Sequence, residues 1–268
     1  MAHPAAFLSI HGTDRLVVAV GEHGKILMFR SDINAPIEVA SPTLDTLRGV
    51  AVESEYSAWA VGDGGTILHW DGSRWWPVAT ATRIPGPLNA VWAHPEDGVW
   101  IAGAGHIISR HPTAGSSLYD SDAAVRAIWG RGPDDLWLLC DGRLALRWTG
   151  ERCERVTLPG DPDEEWNAVA GTHDGDTFVC GVSGFMLHTD GRRWTEISTD
   201  TTDLITGAVC TGDALYVVTD GGQMRRWDGR RWTTEAFSAF GALRSICYAG
   251  GVVWACGDRG VVIQHRPE

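Results

Sequence analysis

Ten histidines, six cysteines and a set of aspartates in glycine-rich turns are the residues of this chain with chemistry to offer. A metal ion with bonds of about 2 Å needs its ligands gathered at one point. His69 and His188 stand in matching contexts far apart in the chain, and His106 and His111 are separated by an odd number of residues, which on a strand sends them to opposite faces. No metal site is predicted. The cysteines (Cys140, Cys153, Cys180, Cys210, Cys247, Cys256) lie mostly in apolar, strand-like stretches without a Cys-x-x-Cys pair, and read as buried reduced thiols. Cys247 and Cys256 flank the Gly250-Gly251 turn, so a disulfide or redox switch is the alternative there. A Gly-x-Ser-x-Gly elbow, a His-Glu-x-x-His helix and a phosphate-binding glycine loop are all missing, and the turns GDGGTILHW and TDGGQMRRW do not match the Ser-x-Asp-x-Gly-x-x-Trp box of propeller hydrolases. The expectation is no catalytic residues and no cofactor.

The elements that would position any site come from internal repetition. Val18, Trp59, Trp100, Trp137, Phe178, Tyr216 and Trp254 begin an ungapped register that runs on through Glu22, Asp63, Ala104, Asp141, Val182, Asp220 and Asp258. First strands begin near 7, 47, 88, 125, 166, 206 and 243, so the period is about 40 residues. Each unit reads as four short strands, with tight glycine turns between the second and third. Asp71-Gly72, Thr149-Gly150, Asp190-Gly191 and Asp228-Gly229 join the third and fourth, and Asp-Gly is a strong hairpin signal. The 14 Trp and 33 Gly fit many short strands and turns. A single meander with two apolar faces must stack on neighbours, and stacking about an axis protects its edges. The prediction is all-β: one domain over residues 1–268, a seven-bladed β-propeller of four-stranded repeats. Its last blade would be three-stranded or closed by the N-terminus. A parallel β-helix fits less well, because its coils are shorter and lack antiparallel hairpins.

The segments AWAVGDGGTILHWDGSRW and LNAVWAHPEDGVWIAG resemble the VWAVG/GTILHWDG repeat propellers found especially in myxobacteria, and more distantly the photosystem-assembly and BNR-like propellers. The resemblance spans the whole chain. It implies the fold and no shared chemistry, since one fold hosts many functions.

Charge then suggests where a partner would sit. A net charge of −12 disfavours nucleic acid or an anionic membrane, no apolar run reaches a transmembrane length, and no secretory signal opens the chain, so a cytoplasmic location is expected. Propeller topology places the turns bearing Glu22, Asp63, Asp141, Asp220 and Asp258 on one face with the blade-to-blade connections. The two least regular connections, around Tyr119-Asp120 and Asp163-Glu164-Glu165, belong to that face. These five residues are the predicted contacts for a protein partner with a basic or neutral surface. On the other face Arg192, Arg193, Arg230 and Arg231, with Arg225 and Arg226, form either a local basic patch or ordinary solvated turns. The expected function is a non-catalytic protein-interaction scaffold. The alternatives are carbohydrate or small-ligand binding at an axial pocket, and an unrecognised hydrolase or lyase.

Overall fold

The computed structural model describes residues 4–33, 35–79, 86–94, 98–109, 117–121, 123–160 and 165–267, with backbone alone at 106–109 and 117–120. Each repeat becomes an antiparallel meander. The inner strands are Phe7–Gly12, Leu47–Ser54, Leu88–His94, Val125–Gly132, Trp166–Gly171, Ile205–Cys210 and Leu243–Ala249. The sixth thus begins one residue before the expected 206.

The expectation of seven blades is corrected by the sheet topology: six sheets are four-stranded blades, and the C-terminal repeat forms only the three strands Leu243–Ala249, Val252–Gly257 and Val262–His265. Among the described residues none supplies a fourth strand there. Residues 4–6 form no strand; they run beside the Asp258–Gly260 turn, and Ala6 is held by Glu22. The first and last sheets meet through side chains. Phe7, Ile10, Val17 and Ala19 pack on Cys247, Ala249 and Cys256, Ser245 Oγ accepts the Ile10 N–H at 3.2 Å, and Asp14 Oδ1 accepts the Gly250 N–H at 3.1 Å.

A similar apolar layer fills every junction between consecutive sheets. Leu16, Val18 and Met28 pack on Leu47, Val50 and Ala60 between the first two, and Tyr216, Val218 and Met224 pack on Leu243, Val253 and Ala255 between the last two. Fully burying one such aliphatic side chain contributes about 1.5–3 kcal/mol. The aromatic column is therefore mostly core: Trp59, Trp100, Trp137, Phe178 and Tyr216 are buried. Trp75 and Trp76 separate as neighbours on a strand must, one buried and the other exposed under the Arg74 guanidinium, 3.2 Å from its ring centroid.

The repeated turn is built by a backbone stitch. The N–H groups of Glu22, Asp63, Ala104, Asp141, Val182, Asp220 and Asp258 each donate to the carbonyl just before their own inner strand, at 2.9–3.1 Å. In five of the seven repeats glycine stands ahead of it, and there the approach is close: a Cβ on Gly62 would lie 2.1 Å from Thr46 O, while Cys140 and Thr219 take the position in the other two. The stitch sets the mouth of the axis, because it fixes where every inner strand begins.

Candidate functional site

One residue after that beginning, every inner strand carries a register irregularity. Leu47 pairs with Gly62 and Gly49 with Val61, leaving Arg48 as an extra residue without a partner. The same irregularity isolates Leu8, Asn89, Arg126, Asn167, Thr206 and Arg244. A β-bulge of this kind re-aims a side chain. Here it sends one residue from each sheet to a common cavity of about 500 Å³ at the axis. The cavity continues into a narrower space of about 270 Å³ lined by Ser9, His11, Gly49, Ala127, Gly207 and Ser245. Small side chains are needed at this next position, since a Cβ on Gly49 would stand 3.1 Å from Asn89 O of the following sheet.

Two chemistries alternate in the ring. Arg48 Nε meets Asp63 Oδ1 at 2.5 Å and Arg244 Nε meets Asp258 Oδ1 at 2.9 Å, while Arg126 Nε pairs with Asp141 Oδ1. Each aspartate belongs to the turn of the same sheet. It holds its arginine by Nε, the arginine side chains stay 41–45% exposed, and all three line the cavity. Where the turn lacks an acid, at Ala104 and Val182, the ring residue is asparagine. Asn89 Nδ2 donates to Val125 O at 2.9 Å and Asn167 Nδ2 to Ile205 O at 3.2 Å, both in the next sheet. Thr206 does likewise, donating to Leu243 O at 2.6 Å.

The turn acids expected to form an open acidic face are thus largely engaged. Asp63, Asp141 and Asp258 hold the ring arginines. Glu22 accepts the Ala6 N–H at 2.9 Å and Asp220 accepts the Leu204 N–H at 3.0 Å. At the middle of this face arginine and aspartate stand paired, and Asp141 lines the same cavity as the three arginines.

His11 lines the inner space, where burial pushes its imidazole down to about 4, and its Nδ1 accepts the Val52 N–H of the next sheet at 2.9 Å. It stands as a neutral brace between the first two sheets. Ser57 looks like a nucleophile beside His69 Nε2 at 3.1 Å, but its hydroxyl donates to Glu53 Oε2 at 2.5 Å, so its proton is directed at the acid and not at the ring. His188 pairs with Asp176 at 2.7 Å and stacks on Phe178, in an off-axis hollow of about 510 Å³ that also touches Cys210. Burial pushes the Cys210 and Cys140 thiols up to about 12, which removes them as thiolates at neutral pH. All six cysteines are free. Among the described residues, no three His, Cys, Asp or Glu side chains form a metal-binding group.

Of the five predicted contact residues, Tyr119 and Asp120 fall on the outer strand Ser117–Asp120, where the backbone pairs them with Ile107 and His106. Glu165 is exposed and lends its carbonyl to the stitch. Asp163 and Glu164 lie outside the described residues, as does His111. On the opposite face, Arg225 leaves the expected basic patch: it is buried, and its Nη1 donates to Thr199 O at 2.6 Å. Arg192, Arg193, Arg230 and Arg231 are exposed.

Fold and site together define a β-propeller with a polar, arginine-bearing axial mouth. Among solved structures it is similar over its whole length to "YCF48 bound to D1 peptide" (14% identity, 95% of that chain, TM-score 0.81) and to "YCF48 from Cyanidioschyzon merolae" (14% identity, 97% of that chain, TM-score 0.80). These neighbours agree with the more distant of the two resemblances read from the repeats. No family model and no curated protein matches the sequence.

Proposed function

We propose that this protein is a non-catalytic, peptide-binding propeller that seats a carboxylate-bearing segment of a protein partner in the axial mouth. The observation that carries the reading is the trio Arg48, Arg126 and Arg244, delivered to one cavity by the same bulge and held by Nε so that each presents its remaining donors. Arginine is suited to planar recognition of carboxylates. A similar propeller bound to a peptide supports the class of partner.

The rim favours a partner with basic or neutral residues flanking its carboxylate. Glu165, Asp200 and Asp220 are exposed around the arginine-bearing centre, and the exposed Leu44 and Phe240 sit on the connections of the same face. Tyr119, Asp120, Asp163 and Glu164 stay with this reading as rim contacts.

The test is a peptide array in which each sequence is presented both with a free C-terminal carboxylate and as the amide. The carboxylate form should bind at least tenfold better, and binding should weaken with added salt. Equal binding of both forms, or no binder at all, would sink the reading.

A further inference from the structure

On the face opposite the mouth, one guanidinium closes the junction between the fourth and fifth sheets. Arg131 Nε donates to Thr172 O at 3.2 Å, and its Nη2 donates to Gly175 O at 2.6 Å and to Thr177 Oγ1 at 2.7 Å, all in the fifth sheet. Its Nη1 returns to Asp135 Oδ2 of its own sheet at 2.6 Å, while Asp135 Oδ1 takes Arg147 Nε at 2.9 Å. The guanidinium also lies 5.3 Å from the Trp129 ring centroid. A carboxylate, backbone carbonyls and an aromatic face converge there on a planar cation, the set of partners a guanidinium suits best.

One junction further on, the same frame recurs without its cation. Asp176, Phe178 and His188 stand at the mutual spacings of Asp135, Trp137 and Arg147, and His188 Nε2 meets Asp176 Oδ1 at 2.7 Å where Arg147 meets Asp135. At the place of Arg131 stands Thr172, too short to cross to the sixth sheet. Asp176 Oδ2, the counterpart of the oxygen that Arg131 holds, has no hydrogen-bond partner among the described residues, and the side chain is 44% exposed. What remains is the off-axis hollow of about 510 Å³, room for a cation and its alkyl stem. Thr211, Asp213 and Ala214 on its far wall take the places of Thr172, Gly175 and Asp176, whose carbonyls receive Arg131. The Asp213 carboxylate, held by Thr211 Oγ1 at 3.2 Å and by Arg226 at 3.7 Å, stays exposed, and Trp227 and Leu215 give the hollow its apolar side. We propose that this hollow is a binding site for an alkylguanidinium cation, with Asp176 and the Thr211–Ala214 turn taking its donors and Trp227 its stem. The site prefers the opposite charge to the axial mouth and stands whether or not the mouth binds a carboxylate.

The probes are n-butylguanidinium and n-butylammonium, titrated into the protein by calorimetry in the same salt. Butylguanidinium should bind saturably and at least tenfold tighter, because a planar fork meets several acceptors at once where an ammonium is a point charge. Asp176→Asn should weaken that binding tenfold or more, with the melting temperature within a few degrees of wild type because the His188 pair is partly exposed. Thr172→Arg writes the fourth sheet's pattern into the fifth, so the chain's own guanidinium should fill the hollow and abolish binding. Should that variant fail to fold, butylguanidinium added to ¹⁵N-labelled wild type should shift the Thr211, Asp213 and Ala214 amides. An acetylated and amidated Gly-Arg-Gly peptide separates the sources of the cation: tighter binding than butylguanidinium assigns the hollow to an arginine of a protein partner, weaker binding to a free small guanidine. No saturable binding, equal binding of the two cations, unshifted amides, or a folded Thr172→Arg that binds like wild type would overturn the proposal.

Discussion

At one and the same bulge, the second, fourth and last sheets carry arginine, whereas the third and fifth carry asparagine. The arginines lean on their own turn and keep donors free; the asparagines reach forward and tie their sheet to the next. A ring position repeated around the axis is thus divided between arginines paired within their own sheet and side chains that brace the next one. The turn goes with the choice: the three arginines each sit over an aspartate, the two asparagines stand where the turn has Ala104 or Val182, and Asp220 and Glu22, which hold backbone N–H groups instead, go with Thr206 and Leu8.

The division is broken most severely by removing the recognition half. Arg48→Gln, Arg126→Gln and Arg244→Gln combined should lower affinity for a carboxylate-terminated peptide by about a hundredfold, since each charge-assisted hydrogen bond contributes roughly 1.5–3 kcal/mol before any loss of additivity. The melting temperature should stay within a few degrees, because exposed ion pairs contribute little to stability. Fluorescence polarisation and thermal unfolding on the same samples check both halves.

The first sheet has neither residue, carrying Leu8 at the bulge, and its junction is braced by His11 instead. The folded imidazole titrates near 4 against 6.5 unfolded. Its contribution is therefore complete above pH 6.5 and is lost as pH falls from there through 4. With allowance for the solvent that reaches the ring in the axial cavity, the loss amounts to about 2 kcal/mol. Urea unfolding at pH 7 and pH 4 should show that difference between wild type and His11→Gln, with the variant the less pH-sensitive of the two.

Removing a brace should be milder. Asn167→Ala deletes the hydrogen bond to Ile205 O and should cost about 1 kcal/mol while leaving peptide affinity unchanged. Smallest is Asp63→Asn, which loosens Arg48 without removing it. A two- to threefold change in affinity and a stability change under about 0.5 kcal/mol are expected, measured by calorimetry.

The repeats were legible because turn geometry constrains residue type: glycine where a carbonyl crowds, and Asp-Gly where a hairpin must turn. The bulge was not legible, because an extra residue in a strand leaves no compositional mark. Arg48 sits between buried Leu47 and tightly packed Gly49, and alternation alone assigns it no direction. The acids were visible, but their partners lie some fifteen residues upstream in the sequence, and only the stitch brings the two together. Ser117–Asp120 read as a loop because it lacks both a hairpin signal and an apolar pattern, yet backbone pairing makes it a strand. Arg225 read as surface, whereas its guanidinium is consumed by Thr199 O and packs near Trp232.

The seam between the first and last sheets joins residues as distant in sequence as Ile10 and Ser245, 235 positions apart. Every other junction links neighbours in the chain and forms as soon as both repeats exist. During synthesis, therefore, the growing protein is an open arc whose first sheet keeps an uncovered apolar face until the last repeat leaves the ribosome. For that interval the face of Phe7, Ile10 and Val17 is the one that needs shielding from aggregation, and completion of the ring is the event that ends the exposure.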